Sequence, residues 1–119
     1  MRHRVKKHLH FKKRDCAHRN AILRNLLTSF FTHGGLVTTE KKAVVLSGLV
    51  DRVINVANSQ KEEFNKVRAI AQNVFTKEAG VRAMQIAAEY KDVKSGFTRI
   101  TPIKYRDGDS AKLVKIELV

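Results

Sequence analysis

Acidic residues are scarce in this chain and almost missing from its start. Eleven Asp and Glu stand against 24 Lys and Arg, and in the first 24 residues Asp15 alone opposes nine cations. That imbalance argues against a merely solvated surface, which intersperses both signs. Cysteine is reduced to Cys16, which excludes an internal disulfide and a cysteine-based zinc site and suits a reducing compartment. No run approaches the roughly 18–20 apolar residues that span a bilayer. The start lacks the apolar stretch of a secretory signal, and it lacks the serines of an organelle transit peptide. A soluble, cytosolic protein is expected. Gly/Ser-rich linkers, proline-rich segments and internal repeats are also missing, so 119 residues with 43% apolar content suit one domain. Phosphate-binding loops, dinucleotide fingerprints and nucleophile elbows do not occur.

What is present is charge, unevenly placed. Residues 1–24 hold nine positive and one negative side chain, a net +8; residues 25–119 hold 15 and ten, a net +5. The whole chain carries +13 with a pI near 10.3, a balance that fits a nucleic-acid binder. Only Val5, Leu9 and Phe11 give the early run sizeable apolar groups. Such a segment buries too little apolar surface to offset the entropy of ordering. The reading is an extended basic arm over 1–14, ordered by a polyanion, appended to one domain over 15–119. Arg2, Arg4, Lys6, Lys7, Lys12, Lys13 and Arg14 are its phosphate-binding candidates, since each cation that meets a phosphate releases condensed counterions.

The rest reads as alternating local signals. Asp15 is a plausible N-cap for a helix carrying Ile22, Leu23, Leu26, Leu27, Phe30 and Phe31 on one side. His18, Arg24, Asn25 and Thr28 fall on the opposite arc, facing solvent or a partner. Gly34 ends this helix. Leu36-Val37-Thr38 predicts a brief strand, and Thr38 or Thr39 caps a second helix with the stripe Leu46, Leu49, Val50, Val53, Ile54 and Ala57. Ser59 to Glu62 matches a capping box. It opens a third helix bearing Phe64, Val67, Ala71, Val74 and Phe75, with Gly80 ending or interrupting it. Val81 to Tyr90 is helical, with Met84, Ala87 and Ala88 inward. Residues 97–100 and 113–119 have strand character, the latter alternating with period two. The cluster 107–110 is a turn that makes them an antiparallel hairpin, and Pro102 weakens the first strand beyond Ile100. The fold class expected is α+β: helices on a small, mainly antiparallel sheet.

Chemistry is hard to place. His8 and His10 would need further metal ligands from the arm itself. Cys16 lacks an oriented base and reads as a small packing residue. Asp107 and Asp109 flank Gly108, either as Mg²⁺ ligands of a nuclease or as turn formers. Turn chemistry is the simpler reading. No catalytic residue, metal or cofactor is expected. A nucleoid-type DNA binder remains an alternative, but Glu40-Lys41-Lys42 followed by apolar residues is a poor recognition helix. A membrane-surface role would need an apolar side opposite the charges, which the arm lacks. A second basic patch gathers Arg99, Lys104, Arg106, Lys112 and Lys115 on the hairpin. Phe97 and Tyr105 beside it either pack in the core or stack on bases.

Three motifs in register resemble one family. They are Arg14-Asp15-Cys16-Ala17-His18-Arg19 with Leu23-Arg24-Asn25-Leu26 and Val37-Thr38-Thr39; Gly96-Phe97-Thr98-Arg99-Ile100; and Arg106 to Ala111 with Ile116-Glu117-Leu118-Val119. With the opening Met1-Arg2-His3-Arg4, they look like bacterial large-subunit ribosomal proteins of the L-seventeen family. The resemblance implies a compact α+β domain with a basic extension that binds large-subunit ribosomal RNA. It also implies a place near the polypeptide exit tunnel beside neighbouring ribosomal proteins, in the cytoplasm, with no small-molecule substrate. The RNA contacts it implies are Arg2, His3, Arg4, Arg14, His18, Arg19, Arg24, Asn25, Thr38, Thr39, Arg99 and Arg106. Ser95-Gly96-Phe97 stands where the family usually has Gly-Gly-Tyr.

Overall fold

The computed structural model describes residues 15–119; the arm read over 1–14 lies outside the described residues. Helix α1 (Cys16–His33) begins as its sequence requires. The Asp15 carboxylate accepts from the His18 amide at 2.7 Å, which satisfies an otherwise orphaned first-turn donor. It ends at Gly34, whose φ of +78° turns the chain left-handed while its N–H donates to the Phe30 carbonyl at 2.8 Å. Leu27, Phe30 and Phe31 are fully buried and Leu26 packs beside them. Cys16 is exposed at the first turn, not packed as expected, because position one of this helix precedes the point where its apolar stripe meets the body.

Strand β1 (Gly35–Thr39) leads directly into α2 (Glu40–Ser59). Thr39 is the N-cap residue, but its side chain makes no capping bond. Helix α2 is the hub of the domain. It touches α1, α3 and α4 on one side and all three strands on the other, and its expected stripe is buried apart from the half-buried Leu49. The expected capping box fails. Ser59 closes α2, with its hydroxyl donating to the Val56 carbonyl at 2.7 Å, and α3 (Glu63–Ala71) starts later with Glu62 as N-cap. Ser59 is still the last residue of α2, three positions before the N-cap of α3, so its hydroxyl is out of place to cap that helix.

The third helix is also shorter than its pattern suggested. Only Ile70 of α3 is buried; Phe64, Val67 and Ala71 face outward, and Phe75 lies half exposed beyond the helix end. A fresh N-cap at Thr76, accepting from the Ala79 amide at 3.3 Å, starts α4 (Lys77–Glu89). Gly80 therefore sits in the first turns of α4 and ends nothing. Helix α4 buries Ala79, Ala83, Ile86 and Ala87, with Met84 partly covered; Ala88 faces solvent, contrary to expectation. Small residues let α4 lie close against α1 and α2, and the spacing 79, 83, 86, 87 is one helix face.

The sheet is antiparallel throughout, in the order β1-β3-β2, with β2 (Thr98–Tyr105) and β3 (Lys112–Leu118) forming the expected hairpin. Strand β2 continues past Pro102 to Tyr105. The proline is tolerated because β2 is an edge strand, where a missing N–H need not break a ladder. The ladder shifts there instead: Pro102 faces Val114 and Lys104 faces Leu113, so Ile103 is the extra residue of a bulge. Val114 and Ile116 point into the core with Phe97, which is completely buried and meets the Tyr90 ring edge-on at 5.5 Å. The Tyr90 hydroxyl donates to the Val119 carbonyl at 2.5 Å, and the Val119 amide donates to the Phe97 carbonyl at 3.0 Å. One apolar cluster thus joins all four helices to one face of the sheet, an α+β architecture.

Candidate nucleic-acid interface

Helices cover only the face of the sheet bearing Val114 and Ile116. Among the described residues no element covers the other face. Paired residues on antiparallel strands point to the same side, so the register fixes what that face shows. Gly35, Glu117 and Arg99 form one row, Val37, Lys115 and Thr101 the next, and Thr39, Leu113 and Lys104 the third. The bulge matters here. In an unbroken strand Lys104 would point to the same side as Pro102, toward the core. The extra residue at Ile103 returns Lys104 to the side of Arg99 and Thr101. The open face therefore carries three cations and one carboxylate, Glu117, which lies 3.2 Å from Lys115. Hydroxyls of Thr101 and Thr39 and the half-exposed Val37 lie between them. Arg99 and Lys104 make no ion pair with any described residue, and both are exposed.

The remaining cations of the hairpin are occupied. Arg106 makes a two-pronged contact with Asp109, Nε to Oδ1 at 3.0 Å and Nη2 to Oδ2 at 2.5 Å. That hydrogen bond, joined by one from the Ala111 amide, holds the Asp109 carboxyl down at about 2 and raises the Arg106 guanidinium. Every oxygen of Asp109 is thus engaged in shaping the turn, which favours turn chemistry over an Mg²⁺ site with Asp107. Lys112 reaches Glu40 at 3.6 Å and ties the start of β3 to the start of α2. Among the described residues no group of three or more metal-ligating side chains gathers.

The first helix offers a second surface, partly different from the one expected. His18 and Asn25 are exposed and Arg19 is half-buried. Arg24 and Thr28, assigned to an outward arc, are turned onto the α3–α4 connection. Arg24 Nη2 donates to the Val74 carbonyl at 3.2 Å, and its guanidinium lies 4.2 Å from the Phe75 ring centre. The Thr28 hydroxyl donates to the Arg24 carbonyl at 2.7 Å and accepts from the Phe75 amide at 3.0 Å. A helical wheel alone cannot show that a second segment covers the far arc. Thr38 lies beside Val114 on the covered side, while Thr39 sits in the row of Leu113 and Lys104. Phe97 is core, and Tyr105 is exposed at the end of β2. Arg2, His3, Arg4, Lys6, Lys7, Lys12, Lys13 and Arg14 lie outside the described residues. Sequence reading missed Thr101 and Val37, whose place on the open face follows from pairing, not from any local signal.

Residues 22–119 match the family model described as Ribosomal protein L17. The chain belongs to that family. It is 41% identical over 108 residues to the large ribosomal subunit protein bL17 of Rubrobacter xylanophilus, covering 89% of this chain and 87% of that protein. The bL17 protein of Alkaliphilus metalliredigens is 39% identical over 108 residues, covering 89% and 93%. That of Campylobacter lari is 38% identical over 107 residues, covering 89% and 90%. All of the described chain from Ile22 onward, the open sheet face included, lies within the matched region.

Proposed function

We propose that this chain is a structural component of the large ribosomal subunit that binds ribosomal RNA, without catalysis. The arm over 1–14 anchors it by charge, and the domain over 15–119 presents α1 and the open sheet face to the RNA. The observation that carries the reading is the extent of the similarity: relatives matched over 89% of this chain are named large ribosomal subunit proteins. The charge layout supports it. An uncovered sheet face with Arg99, Lys104 and Lys115 against a single carboxylate suits the shape- and phosphate-led recognition of folded RNA. His18, Arg19 and Asn25 on α1 join this set. The exposed apolar side of α3 and α4, with Phe64, Val67, Phe75 and Val81, suits contact with a neighbouring ribosomal protein. A position near the polypeptide exit tunnel, on ribosomes in the cytoplasm, completes the proposal. No helix among the described residues is long and apolar enough to cross a membrane.

The test is binding of the full chain and of a chain lacking residues 1–13 to large-subunit ribosomal RNA over a range of salt. Each phosphate contact contributes ~0.7–0.9 to the slope of log affinity against log salt, so losing six Lys and Arg should flatten it by about 4–5. The full chain should also co-sediment with the large subunit. An unchanged slope refutes the anchoring role, and failure to co-sediment refutes the assignment to the subunit.

A further inference from the structure

Away from the sheet, α1, α2 and the α3–α4 connection enclose an open cleft of about 490 Å³, within the ~300–1,000 Å³ range of ligand sites. Its floor is apolar: Leu23 and Leu27 of α1, and Leu49 of α2. Its rim is polar and carries no carboxylate. Arg24 and Arg52 line it together with the carboxamides of Asn20, Gln72 and Asn73. A shallower extension of about 220 Å³ continues it past Arg52, Gln72 and Asn73. Asp51, the nearest acid in sequence to Arg52, is instead bonded to the Gly96 amide at 3.4 Å.

The rim is set but not saturated. Arg24 is fixed by the Val74 carbonyl and the Phe75 ring, yet its buried Nε has no hydrogen-bond partner. That atom is covered by the chain itself, so the groups free to meet a ligand are the accessible ones on Arg52, Gln72 and Asn73. Asn73 spends its amide on the Ala69 carbonyl at 2.9 Å, which leaves its oxygen as an acceptor. Gln72 is exposed, and Arg52 is exposed with no ion pair among the described residues. A bare anion would not need the leucine lining, and an apolar segment would not need the unpaired Arg52 guanidinium beside two carboxamides. A planar heterocycle attached to a phosphate uses both: apolar and guanidinium surface for the ring, carboxamides for its edge, and arginine for the phosphate.

We propose that this cleft receives one unpaired nucleotide of an RNA, its base over Leu23 and Leu49, its edge against Gln72 and Asn73, and its phosphate toward Arg52. The inference rests on the RNA-binding reading above and adds a single-nucleotide pocket distinct from the sheet face.

The experiment follows the side-chain amide and guanidinium signals of the full chain by NMR during three titrations. The probes are single-stranded RNA heptamers of each base, a fully paired RNA duplex, and inorganic phosphate. At least one heptamer should shift Gln72, Asn73 and the Arg52 Nε–H saturably, while the duplex moves other residues. Arg52→Gln should weaken that heptamer at least about tenfold, the scale of a lost hydrogen bond to a charged group. It should leave duplex binding and the melting temperature unchanged. If the RNAs bind but cleft signals stay still, the pocket is refuted and the RNA reading survives. If phosphate alone reproduces the shifts, the site takes an anion and the proposal falls. If no RNA binds, the function proposed above fails and takes this inference with it.

Discussion

Truncating Phe97 should unfold this domain more readily than it disturbs any surface contact. The ring is fully buried, meets Tyr90 edge-on at 5.5 Å, and sits where the Val119 amide returns to the Phe97 carbonyl. Phe97→Ala removes the whole ring and leaves a cavity, a change that costs ~3–5 kcal/mol; the edge-on ring pair accounts for about 0.5–1.5 kcal/mol of that. Unfolding entropy near 2.1 cal/mol/K per residue over the 105 described residues amounts to about 0.2 kcal/mol/K. Each kcal/mol therefore moves the midpoint by roughly 4–5 °C, and the melting temperature should fall by about 15–20 °C. Phe97→Leu keeps most of the volume and should cost under about 1.5 kcal/mol. Tyr105→Ala, at a residue 68% exposed, should stay within about 0.5 kcal/mol of the parent. Its effect should appear in RNA affinity, where one stacked base is worth ~1–3 kcal/mol. Calorimetry and RNA titration on all three variants separate the roles. A Phe97→Ala protein that melts within a few degrees of the parent but binds RNA poorly would refute the assignment of Phe97 to the core.

Two further outcomes follow from single contacts. Asp109 has a folded pKa of about 2, below the ~3.9 of an unfolded aspartate. Its stabilising contribution is complete above about pH 4 and is lost as pH falls toward 2. Urea midpoints of the parent and Asp109→Asn should converge over that window and stay parallel above it; parallel curves throughout would refute the pairing with Arg106. Gly35→Ala would place a Cβ 2.9 Å from the Ile116 carbonyl oxygen and 3.2 Å from the Glu117 Cβ. The carbonyl oxygen belongs to the central strand and the Cβ is fixed to it, so neither can yield easily, and stability should drop by ~1–3 kcal/mol with an unchanged urea slope.

Elements with strong local signals were legible in the sequence. Asp15 and Gly34 bracket α1, the stripe of α2 is continuous, and β3 alternates cleanly because one of its faces is buried and the other open. The third helix is shorter than its pattern predicts because most of its apolar residues are not buried: Phe64, Val67 and Phe75 face outward, Ile70 alone is covered, and Val74, though buried, lies past the true end at Ala71. Pro102 suggested a strand break, since nothing local says that β2 is an edge. The basic arm and the cations of α1 and the hairpin could be named from charge and resemblance. Their division into open and occupied could not, because Arg106 is spent on a turn and Arg24 on a segment 50 residues away. The nucleotide cleft draws on α1, α2 and the α3–α4 connection together, a juxtaposition that exists only after folding.

The strand order has a consequence for how the protein is made. Because β3 lies between β1 and β2, the middle of the sheet is translated after both of its flanks. Until those residues clear the translating ribosome, β1 and β2 have no ladder to join, and Phe97 has no floor of Val114 and Ile116 beneath it. Nascent chains stalled before Lys112 should therefore be protease-sensitive over the sheet region, and acquisition of resistance should be abrupt as β3 emerges. Synthesis order thus delays the open cationic face until the domain is nearly complete.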